Sequence, residues 1–215
     1  MSNPTTPASI GPGEFFPVVG VGPHEKPWPE GAHYDPELLL NGDRRNVLDH
    51  YRYWTVEAIV ADLDSKRHKL QIAIENWQHD LNIGSVVRTA NAFNVSGVHI
   101  VGKRDWNKRG AMVTDRYLTV HHHSTVEDFA LWCKENELPI IGIDNVPGSK
   151  QLESAQLPEK CVFLFGQEGA GMSDEGIAVC EVLYEINQYG STRSMNASAA
   201  GAIAMYHWAL QHLPR

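Results

Sequence analysis

The chain reads as an α/β domain with a mainly parallel sheet flanked by helices, on three observations. Its 215 residues suit one ordinary domain with a sizeable core, since compact domains hold roughly 100 to 200 residues. Beyond Asp43, helical and strand-like segments alternate, which is the pattern of strands joined by crossovers. Three of the strand-like segments run into stretches rich in glycine and in small polar residues, and open α/β sheets keep their ligands at such carboxyl ends.

The elements follow in order. Met1 to Asp43 holds eight of the twelve prolines and six of the eighteen glycines without apolar periodicity, so residues 1–43 are expected to form an extended arm. Helical patterns cover Arg45 to Tyr53 and Val56 to Ser65, together the amino-terminal helices of a domain spanning 44–215. A strand is expected at Leu70 to Asn76, then a helix from Ile83 to Phe93 with Asn82 as N-cap. Asn94 follows it, and Asn tolerates the left-handed conformation that closes many helices. Val98 to Val101 predicts the next strand and Leu118 to His121 a short one, after which Ser124 caps a helix to Glu137. Strands recur at Ile140 to Ile143, Cys161 to Phe165 and Val182 to Ile186. The last helix spans Asn196 to His212, with Ala199, Ile203, Tyr206 and Leu210 on one face.

Composition narrows the function classes. Cys133, Cys161 and Cys180 form no Cys-x-x-Cys pair, which argues against a disulfide scaffold or zinc ribbon and favours a reducing, cytoplasmic setting. No run of about 18 apolar residues is present, so no membrane partner is expected. The 18 basic side chains against 26 acidic ones give a net charge of −8, which at first argues against nucleic acid. The charge is segregated, however: Arg44 to Arg116 carries 12 of the basic residues against 8 acids, and a basic half on an acidic body is compatible with an RNA-facing surface.

Chemistry concentrates in three blocks. In the first, Asn82, Gly84 and Ser85 open a helix that carries Arg88, whose guanidinium suits bidentate phosphate binding. In the second, Gly166, Gly169 and Gly171 surround Glu168 directly after an apolar strand, so a ligand can approach the backbone closely. This is neither a Walker loop nor the dinucleotide order of glycines, and Glu168 would repel a pyrophosphate. In the third, the strand ending at Ile186 leads through Gly190 and Arg193 to Ser194, Met195 and Asn196 at the start of the last helix, whose free N–H groups favour electron-rich ligands.

Taken in order and spacing, the three blocks resemble the signature of the SpoU/TrmH family of RNA ribose 2'-O-methyltransferases in the SPOUT superfamily. They look like its Asn-x-Gly-x-x-x-Arg-Thr-Ala-x-x-Phe, Gly-x-Glu-x-x-Gly-x-Ser and Gly-x-x-x-Ser-Leu-Asn-x-Ser stretches, and the likeness covers roughly Leu70 to Leu213. The resemblance implies a SPOUT-type α/β fold with a carboxyl-terminal trefoil knot over about 161–213. It implies S-adenosylmethionine as cofactor, with Gly166, Ile186 and Met195 at the adenosyl part, and an active site completed across a homodimer by the small-residue helix after Met195. It also implies a catalytic cluster of Arg88, Asn82, Glu168, Ser194 and Asn196. A guanidinium stays charged at neutral pH, so Arg88 reads first as a phosphate or alkoxide anchor rather than a base. The family's Ile-Pro-Met is here Ile186-Asn187-Gln188, a departure that bears on loop shape and cofactor affinity.

Lys103, Arg104, Lys108 and Arg109, interleaved with Trp106, suit an RNA-contacting loop. The run His121-His122-His123 turns His122 away from its neighbours in an extended segment, so no metal is expected. The rival classes are a non-catalytic RNA-binding protein with the same fold and a nucleotide-dependent oxidoreductase. With no large auxiliary RNA-binding domain ahead of the catalytic blocks, the chain resembles the compact tRNA-modifying branch, so tRNA guanosine is favoured over rRNA.

Overall fold

The computed structural model describes residues 20–77, 82–167 and 169–214. Its helices are α1 (Pro36–Asn41), α2 (Val56–Asp64), α3 (Asn82–Ala92), α4 (Val126–Glu135), α5 (Asp174–Val179) and α6 (Ala197–His212). Its strands are β1 (His68–Asn76), β2 (Val95–Gly102), β3 (Val120–His123), β4 (Ile140–Ile143), β5 (Lys150–Gln151), β6 (Cys161–Phe165) and β7 (Val182–Glu185). All of them pair in parallel in one sheet, in the spatial order β3-β2-β1-β6-β4-β7-β5.

A parallel sheet needs cover on both faces, and its inner strands are therefore apolar almost throughout. In β1, Leu70, Ile72 and Ile74 face α3 and α6, where they meet Ile83, Val86, Val87, Met205 and Trp208. Ala73 points to the opposite face with Val162 and Leu164, under Val126, Phe129 and Cys133 of α4. Such residues are nearly all fully buried, each contributing about 1.5 to 3 kcal/mol. Asn94, just past α3, has φ +46°, the left-handed closure expected of it.

The last strand and helix are held by the connection between β4 and β6. Asn145 Nδ2 donates to Arg193 O, and Asn187 N donates to Glu153 Oε1 at 3.2 Å. Farther along, Leu157 N donates to Gln211 Oε1 at 3.0 Å, Gln211 Nε2 to Ala155 O at 3.0 Å, and Trp208 Nε1 to Pro158 O at 3.1 Å. The other side of α6 lies on α3, where Gly201 faces Val86. The carboxyl-terminal segment thus runs between its own β4–β6 connection and α3.

Several expectations need correction. The helix expected over Arg45 to Tyr53 is a single 3-10 turn, Asp49–Tyr51. The cause is Asp43, fully buried, whose carboxylate accepts from Arg45 N, Nε and Nη2 and from Tyr53 N at 2.7 to 3.0 Å. These bonds fold 43–53 into a loop, and Tyr53 itself takes φ +64°. Burial alone would raise the Asp43 pKa, but the Arg45 bonds, the Tyr53 N–H and the guanidinium charge outweigh it and hold it at about 2.

Residues 20–43 are also more than an extended arm, since Val21 bridges Asp43 and Asp35 caps α1. Residues 1–19 of that arm lie outside the described residues. The chain divides into compact units at Ile59 and Val60, not at residue 43, because Asp43 ties the 20–42 stretch to the 45–54 stretch. Strand β3 begins at Val120 rather than Leu118, because the Leu118 N–H donates to Asp115 O at 3.4 Å and closes the 3-10 turn Thr114–Tyr117. Thr125, not Ser124, caps α4, through Oγ1 accepting from Asp128 N at 3.0 Å. Helix α5 and the two-residue β5 were not anticipated.

Candidate active site at the carboxyl ends of the central strands

Strands β4, β6 and β7 end on the same side of the sheet, and a cavity of about 520 Å³ opens there. Each strand delivers its following loop to the wall: Asp144 and Asn145 after β4, Gly166, Gln167 and 169–172 after β6, Ile186 and Gln188 after β7. Ser194, Met195, Asn196 and Ala197 close it from the start of α6. Of the residues expected to hold the adenosyl group, Gly166, Ile186 and Met195 all line this cavity.

The glycine loop is shaped by steric need. A Cβ on Gly166 would stand 2.1 Å from Met172 N and 2.2 Å from the Gly171 carbonyl carbon, so no side chain is tolerated. Gly169 and Gly171 take φ +87° and +73°, which L side chains rarely adopt. Gln167 and Gly171 exchange backbone bonds at 3.1 and 3.2 Å. Two carboxylates then pin the loop: Asp144 Oδ2 accepts from Met172 N at 2.8 Å, and the fully buried Glu75 accepts from Ser173 N at 2.8 Å and from Ser173 Oγ. Behind the loop, burial and then the Glu75 charge push the Cys180 thiol up to about 12, so it stays an inert neutral group.

These walls suit a flat, partly apolar ligand with hydrogen-bond donors. Ile143, Phe165, Ile186, Met195 and Ala200 supply apolar surface. Gln167 Oε1 is a buried acceptor without a partner among the described residues, and an unpaired buried acceptor costs about 1 to 3 kcal/mol until a donor meets it. S-adenosylmethionine, with its purine, ribose hydroxyls and amine, fits this donor demand.

The first and third blocks meet at the mouth. Asn196 Oδ1 accepts from Ser198 N at 3.0 Å and Ala199 N at 3.3 Å, capping α6, while its Nδ2 donates to Asn82 Oδ1 at 2.8 Å. Asn82 starts α3, and Arg88, farther along the same helix, is exposed and outside the cavity wall. Ser194 is at the wall and exposed. Glu168 lies outside the described residues.

The basic loop sits against the first turn of α3. A Cβ on Gly84 would stand 2.7 Å from Ala111 N and 2.8 Å from Asn107 O, and one on Gly110 would stand 2.8 Å from Ser85 N. Lys103, Arg104 and Arg109 are exposed. Lys108 is engaged, 3.0 Å from Asp115 and over the Trp106 ring at 5.4 Å. Among the described residues no group of three or more His, Cys, Asp or Glu side chains is arranged to hold a metal ion. His122 does turn from its neighbours, to Gly102 O at 2.8 Å.

Sequence reasoning missed Asp144, Gln167 and Glu75. Asp144 directly follows one expected strand and Gln167 stands two residues past the end of another, so their place at carboxyl ends was the available signal. Glu75 reads as an ordinary strand residue until the fold sets Ser173 beside it.

The profile described as the SpoU rRNA Methylase family matches residues 69–206. The chain belongs to that family. A relative among SpoU methylases is the tRNA (guanosine(18)-2'-O)-methyltransferase of Borreliella burgdorferi, 25% identical over 147 residues, or 67% of each chain. In fold, this SpoU family chain is similar to the TrmH/SpoU tRNA modifying enzyme of A. aeolicus, with a TM-score of 0.64, 20% identity and coverage of 73% of this chain and 81% of that one. It is likewise similar to AviRb of Streptomyces viridochromogenes in complex with the cofactor AdoMet, at TM-score 0.62, 21% identity and coverage of 71% and 61%. The α/β fold with a carboxyl-terminal knot is therefore the family's own, and the chain spans only about 61% to 81% of these three relatives' lengths.

Proposed function

We propose that this SpoU family chain is an S-adenosylmethionine-dependent RNA ribose 2'-O-methyltransferase acting on guanosine, in tRNA before rRNA, as a cytoplasmic homodimer. The observation that carries the reading is the Asn82–Asn196 bond, which joins the helix bearing Arg88 to the wall of the cavity suited to the cofactor. The Borreliella relative is named for a tRNA guanosine substrate, and AviRb is seen in complex with the cofactor AdoMet; both support the assignment. Among the described residues no helix is long and apolar enough to cross a membrane.

When bound, the cofactor supplies a methyl group on a sulfonium, open to attack by a ribose oxygen. The chain's own part is alignment and management of a proton. Gly166, Ile186 and Met195 hold the adenosyl side. Asn196 spends its oxygen on capping α6 and its amide on Asn82, so it acts by fixing α3 against the cavity. Ser194, exposed at the rim, is free to bond the ribose. Arg88 anchors the phosphate of the target nucleotide and, remaining protonated, stabilises the alkoxide as the 2'-hydroxyl gives its proton to solvent water at the open mouth of the cavity, a charge-assisted contact. Glu168, assigned from its place in the motif, orients this cluster. Lys103, Arg104 and Arg109 extend the phosphate-binding surface beyond Arg88, with Lys108 as the fourth member, held by Asp115.

The homodimer rests on α6. Of its small residues, Gly201 and Ala204 are buried within this chain, whereas Ala199 is exposed and available to a partner. The outward face carries Ile203, Tyr206 and Leu210, exposed by 42%, 58% and 43%, a row of apolar side chains apt for a second copy.

The test is transfer of labelled methyl from S-adenosylmethionine to unmodified bulk tRNA and, separately, to rRNA. Wild type labels tRNA, and Arg88→Ala abolishes labelling while calorimetric affinity for the cofactor stays within a few-fold. Near-normal turnover by Arg88→Ala removes Arg88 from the mechanism, and RNA binding without any transfer turns the reading to a non-catalytic binder.

A further inference from the structure

Loop 187–194 forms one rim of the cavity, with Gln188 and Ser194 in its wall. Between them Tyr189 is 92% exposed, while no other exposed large apolar side chain among the described residues exceeds 66%. Its ring does not contribute to the core, and an aromatic ring left in water forgoes most of the stabilisation its area offers.

The backbone beneath the ring is nevertheless tied down. Arg193 O accepts from Asn145 Nδ2 and, at 3.4 Å, from Gln188 Nε2, and Asn187 N donates to Glu153. The loop is therefore presented rather than loose, which lowers the ordering cost of binding. Gly190 adds a second observation: a Cβ there would meet nothing within 4 Å, and its φ is not in the left-handed range. Among the described residues nothing packs against that side of Gly190, so the loop next to Tyr189 borders open space. Arg193 is exposed three residues before Asn196.

We infer that Tyr189 and Arg193 form a nucleotide-binding rim on this cavity, the Tyr189 ring stacking on the base of the methylated nucleotide and the Arg193 guanidinium holding its backbone phosphate. The inference rests on the methyltransferase reading and adds the groups that hold the substrate base. A ribose presented to the cavity carries its base on the carbon next to the one bearing the reacting oxygen, so the base emerges at the rim. A ring stacks on any base without hydrogen-bond readout, and such a contact is typically worth a roughly fivefold to hundredfold affinity change. A basic, polar surrounding of Ser191, Thr192 and Arg193 favours RNA over an apolar protein partner.

Equilibrium binding of unmodified bulk tRNA to the full chain, without methyl donor, tests the rim for wild type, Tyr189→Ala and Tyr189→Phe. Tyr189→Ala is expected to weaken tRNA binding roughly tenfold, Tyr189→Phe to restore it, and cofactor affinity by calorimetry to stay unchanged in both. Arg193→Ala is expected to flatten the salt dependence of binding by about one phosphate contact. Wild-type tRNA affinity in Tyr189→Ala overturns the inference, as does a phenylalanine variant no better than alanine, or equal loss of cofactor affinity. A shift from dimer to monomer in Tyr189→Ala, read by sedimentation, assigns the ring to a second copy instead and also overturns it. Failure of wild type to transfer methyl while Tyr189→Ala still loses tRNA affinity overturns the enzymatic reading and leaves the rim standing.

Discussion

Asn196 Nδ2 reaches Asn82 Oδ1 at 2.8 Å across a sequence separation of 114 residues, and the same Asn196 caps α6 through its oxygen. One side chain therefore does two jobs with two different atoms. The oxygen holds a helix end, and the amide holds the neighbouring helix.

Those jobs separate by substitution. In Asn196→Asp the carboxylate still caps α6, as Asp caps about as well as Asn, but it has no donor for Asn82. The expected result is a thermal midpoint close to wild type and methyl transfer reduced at least tenfold. Asn196→Ala loses both functions and costs about 1 kcal/mol of stability in addition. Full activity in Asn196→Asp, measured as initial rate with saturating cofactor, sinks the linking role.

The basic loop is expected to divide into free and engaged cations. Lys108 shares its charge with Asp115 at 3.0 Å and lies over Trp106, whereas Arg104 and Arg109, exposed like Lys108, have no carboxylate partner within 4.0 Å among the described residues. A phosphate contact contributes a slope of about one in the dependence of log affinity on log salt. Arg104→Ala and Arg109→Ala should each lower that slope by about one in tRNA binding, and Lys108→Ala should change it by less. A Lys108→Ala effect equal to the arginines' shows that its ion pair with Asp115 opens on binding, as a weak surface pair can.

The strands were legible wherever apolar residues run on without a break. Ile140–Ile143 and Cys161–Phe165 fall where expected because both faces of those strands are covered. Asn94 was legible too, since its closing role depends on its own backbone. The turn around Asp43 was not, because Arg45, Tyr51 and Tyr53 read as helix until a buried carboxylate gathers their neighbours' N–H groups. Helix α5, at six residues, was too short for periodicity to register and depends on Ser173 and Glu75. In the site, motif spacing located Gly166, Ile186, Met195, Ser194 and Asn196 at one cavity. It was silent on Asp144 and Glu75, which act only through distant backbone, and on the exposed apolar face of α6, where Ile203, Tyr206 and Leu210 look like core by pattern.

Stability is expected to fall with pH through the histidines of the β2–β3 edge. His99 is fully buried between His123, at 2.9 Å from its Nδ1, and Gln71 Oε1, at 2.6 Å from its Nε2, with the His121 ring stacked at 4.8 Å and Phe129 and Trp132 of α4 above. Burial first, and then the charges of His121 and His123, hold its pKa at about 2. Burial lowers His121 as well, and lowers His123 together with His121 and His122, against the opposing charge of Asp128. The unfolded chain takes up a proton on each of these rings near pH 6.5, whereas in the native chain His99 resists it down to about pH 2 and His121 and His123 take it up only at lower pH. Their contribution is therefore fully present above that pH and is lost as pH falls below it, for His99 at about 1.4 kcal/mol per pH unit. Asp43 does not confuse the window: its depressed pKa gives stability that is retained down to about pH 4 and lost only toward 2. Urea midpoints measured from pH 7.5 to 5.0 should decline steadily in wild type. His123→Gln keeps a donor for His99 Nδ1 and removes one titrating ring, so its decline should be shallower. Equal slopes for the two proteins, or a flat wild-type profile, rule out the buried histidines as the source.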